Sequence, residues 1–240
     1  MKTPIIFRLS PNTILLQWEP VISEEVARTI QYTERLLKKH FPSVIIEMTP
    51  AYTELAVHFK KNTDVSAFEE KLKGIFQKDI PTLRETSVKN ITIPVCYETE
   101  FASDLAAVAK YHNISEKQLI TLHTQPVYHV AFIGFLPGFP YLTGLSDTLH
   151  TPRKRTPETS IAKGSVGIGG NQTGVYPSNS PGGWNIIGRT PLNFFSVEKK
   201  QPSLLKAGDT VQFEFISKTE FELISLEVSS GRYQLKTQSL

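Results

Sequence analysis

The side chains best suited to chemistry gather between Phe132 and Arg189, in three runs rich in glycine and proline. These are Gly134-Phe-Leu-Pro-Gly-Phe-Pro-Tyr-Leu-Thr-Gly144, Gly164-Ser-Val-Gly-Ile-Gly-Gly-Asn-Gln-Thr-Gly-Val-Tyr-Pro177 and Pro181-Gly-Gly-Trp-Asn-Ile-Ile-Gly-Arg-Thr-Pro191. Glycine lets a backbone approach a ligand closely or take positive φ, and proline fixes the shape of a loop in advance. Phe135, Phe139, Tyr141, Tyr176 and Trp184 could wall a pocket there, and Asn171, Gln172 and Arg189 could supply directional hydrogen bonds inside it. The competing reading is a set of tight turns between short strands. So much glycine and proline around so few polar groups favours a site.

Familiar chemistries fail on the same stretch. A phosphate loop needs Gly-Lys-Ser/Thr after four spacer residues, and the Gly164–Gly170 run has no such lysine. No helical pattern follows it, so a dinucleotide fingerprint is unsupported, and no Gly-x-Ser-x-Gly elbow occurs. Six histidines are present without a His-Glu-x-x-His motif. His123 and His129 lack the carboxylate or thiol company of a zinc site, so no metal is expected. Cys96 lies in a β-rich run with no lysine or histidine near it in sequence, which suits a buried small hydrophobe. Paired carboxylates for acid–base work are not visible, and no catalytic residue can be named from residue types alone. Among weaker signals, Arg153-Lys154-Arg155 reads chiefly as a solvated loop, with Arg153 a secondary site candidate. His129 alternates with strand residues and suits equally a satisfied position inside a barrel or a place in the site. Asp104 reads as a helix cap.

The elements that must hold these residues follow from periodicity. Ile5–Leu9 and Thr13–Trp18 are β-rich runs around the turn-forming Ser10-Pro11-Asn12. Ser23 can cap a helix with Val26, Ile30 and Leu37 on one face and Pro42 beyond its end. Strands are expected at Val44–Met48 and Glu54–Phe59, and Asp64 precedes a second amphipathic helix carrying Val65, Phe68, Leu72, Ile75 and Phe76. This order predicts a small α+β unit over residues 1–85, with the helices on one sheet face. The polar stretch near Pro81–Asn90 marks a boundary, and residues 86–240 are expected to be mostly β, a closed or nearly closed barrel carrying the Gly/Pro-rich loops. Within it, strands are expected at Ile91–Tyr97, Tyr128–Phe135, Leu192–Val197, Thr210–Ile216 and Leu223–Val228, with a short helix after Ser103 or Asp104. A capping box at Ser115/Gln118 opens another helix.

Bulk properties bound the function. The chain has 240 residues, 40% apolar and 20% charged, with a net charge of +3. That is enough to bury a core, and it lacks the dense basic patches of a nucleic-acid binder. One cysteine excludes an intramolecular disulfide, and no secretory segment is apparent, so a cytoplasmic location is expected. Apolar runs such as Val130–Leu136 fall far short of the ~20 residues that span a bilayer, so no membrane role is expected.

Together, the His129–Leu145 run, the Gly164–Pro177 run and the Pro181–Leu192 run resemble the family of the 5-oxoprolinase B subunit, also called allophanate hydrolase subunit 1. That family includes the Kip inhibitor of a sporulation histidine kinase, and the resemblance lies nearest to that member. It extends over nearly the whole chain and is strongest over about residues 125–195. The resemblance implies an N-terminal α+β domain and a cyclophilin-like β-barrel domain. It implies two partners, the 5-oxoprolinase A and C subunits, which with this chain open 5-oxoproline to L-glutamate using ATP as co-substrate. A site shared among the three chains would then be lined here by Phe139, Tyr141, Asn171, Gln172, Tyr176, Trp184 and Arg189, with Arg189 suited to the substrate carboxylate. Two further roles come with the resemblance: inhibition of a sporulation sensor histidine kinase, with or without catalysis, and membership of an allophanate or urea-type amide hydrolase. A blander alternative is a protein that senses a small carboxylate or amide. The sequence departs from the family's pattern at Pro157-Glu158, where Pro-Arg is usual, and at Ile161-Ala162-Lys163-Gly164, where Val-Pro-x-Gly is usual. The first departure places an anion beside the expected site.

Overall fold

Alternating apolar residues build the first sheet. A computed structural model describes residues 3–21, 23–77 and 89–239, and the chain separates into two compact units, residues 1–86 and 87–240. The expected boundary between residues 85 and 86 lies outside the described residues. In the first unit, strands Ile5–Ser10 (β1) and Thr13–Gln17 (β2) precede helix Glu24–His40 (α1). Strands Ile45–Pro50 (β3) and Glu54–Phe59 (β4) precede helix Val65–Gln77 (α2). The antiparallel sheet has the order β1-β2-β4-β3. Ile14, Leu16, Leu55, Val57 and Phe59 point to one face, where Ile30 and Leu37 of α1 and Phe68 and Leu72 of α2 bury them. Ser23 caps the first helix as expected, its Oγ accepting from the Val26 N–H at 3.2 Å, and Asp64 Oδ1 accepts from the Ala67 N–H at 3.0 Å at the start of the second.

The second unit begins with strand Lys89–Val95 (β5) and helices Leu105–Tyr111 (α3) and Glu116–Thr124 (α4). Strands Tyr128–Ile133 (β6), Pro140–Thr143 (β7), Glu158–Ile161 (β8) and Ser165–Gly169 (β9) follow. Then come Gln172–Val175 (β10), Ser180–Gly182 (β11), Asn185–Arg189 (β12) and Thr210–Phe215 (β13). Helix Lys218–Ser229 (α5) and strand Thr237–Ser239 (β14) end it. The large sheet has the order β12-β9-β10-β7-β6-β13-β5-β14. Its first and seventh strands in that order are joined just beyond β5. The Cys96 N–H donates to the Arg189 carbonyl at 2.8 Å, and the Arg189 N–H to the Cys96 carbonyl at 2.9 Å. The result is a nearly closed seven-stranded barrel, the architecture expected, with β14 added outside the ring on β5. Strands β8 and β11 pair separately as a small hairpin-like sheet.

Two expected strands are absent as such. Residues 192–197 are irregular, with a single bridge from Phe195 to Ser203, while Leu192 and Phe194 are buried in the barrel core. The expected strand at Leu223–Val228 is helical and belongs to α5. Ser217 and Glu220 form a reciprocal capping box at its start, so a local cap outweighed the β-favouring side chains. The capping box at Ser115/Gln118 is present as expected. Among the described residues, no helix is long and apolar enough to cross a membrane.

Inside the barrel, one polar chain runs through the apolar core. Thr173 Oγ1 donates to the Gly167 carbonyl at 3.0 Å, so it accepts from His123 Nε2 at 2.9 Å. His123 Nδ1 then accepts from the Tyr97 hydroxyl at 2.8 Å. This assignment gives a neutral imidazole with both nitrogens satisfied. Tyr128 donates to the His123 carbonyl at 2.7 Å, and the ring stacks on Phe213 with centroids 4.6 Å apart. Burial lowers the His123 pKa to about 3. The unfolded chain therefore takes up a proton near pH ~6.5 that the native state refuses until about pH 3. Stability from this residue is complete above ~6.5 and falls on acidification by about 1.4 kcal/mol per pH unit. Urea unfolding at about pH 7.5 and about pH 5 should show a smaller acid loss for His123→Gln than for the parent, although the variant is weaker at neutral pH. Identical acid losses would show that His123 does not carry this dependence.

Candidate functional site

Successive residues of a strand face opposite sides of the sheet. Thr173 and Val175 of β10 face the barrel core, so Gln172 and Gly174 face outward. The same rule turns Leu142 inward and Tyr141 outward on β7. On this outer surface an aromatic group assembles over the sheet and beneath β8. Phe139 meets Tyr141, Tyr176 and Trp184 with ring centroids 4.9, 5.2 and 5.3 Å apart. Tyr141 lies 5.8 Å from Trp184 and stacks on Phe132 at 4.3 Å. Ile161 and Ile186 complete the cluster, and Phe135, 61% exposed, meets Phe139 edge-on at its rim.

Several of the glycines make room for rings. A Cβ on Gly169 would stand 2.5 Å from the Trp184 indole, and one on Gly174 would stand 3.1 Å from the Phe139 ring and 3.0 Å from Trp184. On Gly182 it would collide with the Tyr176 hydroxyl. At these three positions rings crowd the space of a side chain, with the Pro140 carbonyl also 2.7 Å from a Cβ on Gly174, while Gly138, Gly144, Gly164 and Gly170 take the positive φ expected of such runs. Phe139, Tyr176 and Trp184 are correspondingly almost fully buried, and Tyr141 is half-buried. They form a packed aromatic floor rather than the walls of an open pocket.

The expected polar residues distribute around this floor unequally. Gln172 is buried, and its Nε2 has no hydrogen-bond partner among the described residues. Asn171 is exposed at the tip of the β9–β10 hairpin. Arg189 lies outside the aromatic cluster, at the seam of the barrel. Its backbone closes the ring and its Nε donates to the Lys163 carbonyl at 2.8 Å. His129 follows Tyr128 and precedes Val130, both in the barrel core, so its half-buried side chain lies on the outer face and not inside the barrel.

The basic run is not simply solvated. The Arg153 guanidinium lies 5.7 Å from the Trp184 ring centroid, a cation–π contact of about 0.5–1 kcal/mol at an exposed position. Lys154 is tied to Asp104 at 2.7 Å and also to Glu158, the anion that departs from the family's pattern. Burial opposes the Lys154 charge, but the two carboxylates prevail and its pKa is raised. Asp104 stands at the start of α3 without capping it. Its carboxylate instead accepts from the Ile186 N–H at 2.7 Å, which fastens β12 to this loop. The Asp104–Lys154–Glu158 link is not legible in the sequence as part of the site, since Asp104 lies 50 residues from Lys154.

The electrostatics suit binding more than proton transfer. Burial raises the Tyr176 pKa to about 12, against the opposing pull of a Trp184 backbone hydrogen bond and of Arg153. Burial also raises Tyr141, again opposed by Arg153. Both phenols thus remain protonated donors at neutral pH. Among the described residues no His/Cys/Asp/Glu group could hold a metal ion.

A mixed chain with a nearly closed barrel is the architecture of a carboxyltransferase-type domain. The family model for the carboxyltransferase domain, subdomains C and D, matches residues 4–205. The chain is 37% identical to the 5-oxoprolinase B subunit of Bacillus subtilis (strain 168), covering 90% of this chain and 94% of that protein. It is 38% identical to the 5-oxoprolinase B subunit of Haemophilus influenzae (strain Rd), over 87% and 96% respectively. The solved structure of Kluyveromyces lactis urea amidolyase superposes with a TM-score of 0.80 at 19% identity, over 99% of this chain and 16% of that one, a likeness of fold. The chain belongs to the family of the 5-oxoprolinase B subunit.

Filling the space beneath the indole tests the aromatic floor. Gly169→Ala is expected to cost about 1–3 kcal/mol and to shift tryptophan emission in a Trp18→Phe background. Gly183→Ala, whose Cβ would meet nothing closer than 3.6 Å, should stay within about 0.5 kcal/mol of the parent. Equal effects of the two substitutions in urea unfolding would mean that the glycine does not hold the ring's place.

Proposed function

We propose that this chain is the B subunit of an ATP-dependent 5-oxoprolinase, which opens 5-oxoproline to L-glutamate as ATP becomes ADP and phosphate. The observation that carries this reading is the 37% identity reaching across 94% of the Bacillus subtilis protein. An unstrained lactam resists water at neutral pH. Transfer of the ATP γ-phosphoryl group to its carbonyl oxygen makes the carbon electrophilic. One water adds there and the C–N bond breaks, which leaves the acyl phosphate of glutamate; a second water then attacks its carbonyl carbon, and phosphate leaves with the former lactam oxygen. Donors and aromatic surface on this chain suit holding the lactam. Phe139, Tyr141, Tyr176 and Trp184, with Asn171 and Gln172, are this chain's proposed contribution, and Arg189, bonded to the Lys163 carbonyl at the barrel seam, stands apart from them. Inhibition of a sporulation sensor histidine kinase would be a second role, and its support is the resemblance to the Kip inhibitor.

The test is glutamate release from 5-oxoproline with ATP, comparing the three mixed subunits with the same mixture lacking this chain. Release that vanishes on omission is expected. Equal release in both would overturn the reading and make kinase autophosphorylation the next measurement. Ammonia release from allophanate, with no glutamate from 5-oxoproline, would keep the amide chemistry and replace the substrate.

A further inference from the structure

Beside one indole on the outer face, the Gln172 amide nitrogen and the Arg153 guanidinium have no hydrogen-bond acceptor among the described residues. Gln172 pairs directly with Gly169 across β9 and β10, so the two residues share a sheet face. That is the face on which Trp184 occupies the space of a Gly169 side chain. Gln172, 3% exposed as a residue, is therefore held in the layer of the indole, and its buried amide nitrogen has no partner among the described residues. A buried N–H left unmade is a standing penalty that a ligand carbonyl oxygen would relieve.

The second donor is Arg153. Its segment is pinned to the same end of the barrel by Thr151, which exchanges backbone hydrogen bonds of 3.0 and 2.7 Å with Gly170. On its other side the Lys154 N–H donates to the Gly183 carbonyl at 2.7 Å. Between these ties the guanidinium rides over Trp184, close enough to Tyr141 and Tyr176 to pull on both phenols. The neighbouring carboxylates, Asp104 and Glu158, are engaged by Lys154. Arg189 differs: its Nε is bonded to the Lys163 carbonyl, and its aliphatic stem packs against Gly164.

We infer that Arg153 receives the carboxylate, and Gln172 the ring carbonyl oxygen, of a small cyclic amide acid lying against Trp184 and Tyr141. This rests on the 5-oxoprolinase reading and deepens it. A guanidinium matches a carboxylate with two parallel N–H donors, and an amide N–H matches a neutral carbonyl. The half-buried Tyr141 and the exposed Arg153 mark the side from which such a ring enters.

The experiment uses the assembled three-subunit complex and measures KM for 5-oxoproline, KM for ATP and kcat. Arg153→Ala should raise KM for 5-oxoproline about tenfold or more while KM for ATP stays within about twofold. Arg153→Lys should recover part of the loss, since a point charge replaces the fork. Gln172→Met, which keeps the volume and removes the donor, should lower kcat/KM for 5-oxoproline by about tenfold with KM for ATP unchanged. An active parent complex whose KM for 5-oxoproline is unmoved by Arg153→Ala overturns this inference and leaves the proposed function standing. An inactive parent complex overturns both. A fall in kcat alone, with both KM values unchanged, would also remove Arg153 from the carboxylate.

Discussion

Two backbone hydrogen bonds between Cys96 and Arg189 turn an open sheet into a barrel, and much else in the second unit depends on them. They can form because Gly188 has no side chain: a Cβ there would stand 2.7 Å from Val95 Cγ1 and 3.0 Å from the Cys96 carbonyl. Asp104 then fixes β12 from the other direction. Its N–H donates to the Ile186 carbonyl at 2.8 Å, and its carboxylate accepts from the Ile186 N–H. With β12 held at both points, Trp184 just ahead of it can sit in one place. Cys96 contributes backbone and volume to the seam. Burial raises the pKa of its thiol, which leaves it protonated and unreactive.

The barrel wall therefore separates two kinds of interior. Inside, apolar residues surround one fully satisfied polar chain through His123. Outside, a smaller cluster of rings rests on strands stripped of side chains, with Arg153 above it and the Gln172 amide beside it. Edge-to-face contacts, as between Phe139 and both Tyr176 and Trp184, favour rings over aliphatic groups in such a layer. The rigidity of the wall and the polarity of the outer face come from the same strands, since Gln172 and Thr173 are neighbours that face opposite sides.

The sequence made the regular parts legible. Period-two and helical patterns located β1 to β4, α1 and α2, because β2, β4, α1 and α2 each bury one face against a single core. The Ser115/Gln118 box located α4. At Leu223–Val228 the β-favouring side chains suggest a strand, and only the structure shows the Ser217/Glu220 box that starts a helix there. In the Gly/Pro-rich stretch, the aromatic residues of the candidate site were legible by type. Their arrangement was not, because a glycine that accommodates a ring and a glycine that admits a ligand look alike in one dimension. Asp104 shows the same limit: an acidic residue before a helix reads as a cap until its long-range partner is known.

The bed of glycines beneath Trp184 has a consequence for how the chain can change over generations. A methyl group at Gly169 is obstructed while the indole stands there, and a smaller ring at position 184 leaves a void over bare backbone. Each change is harmful alone and tolerable with the other, so the route between the two packings passes through a weakened intermediate. Sign epistasis of this kind makes the positions drift as one unit. Descendants of such a chain keep the pair or exchange it whole, whichever substrate their complexes come to serve.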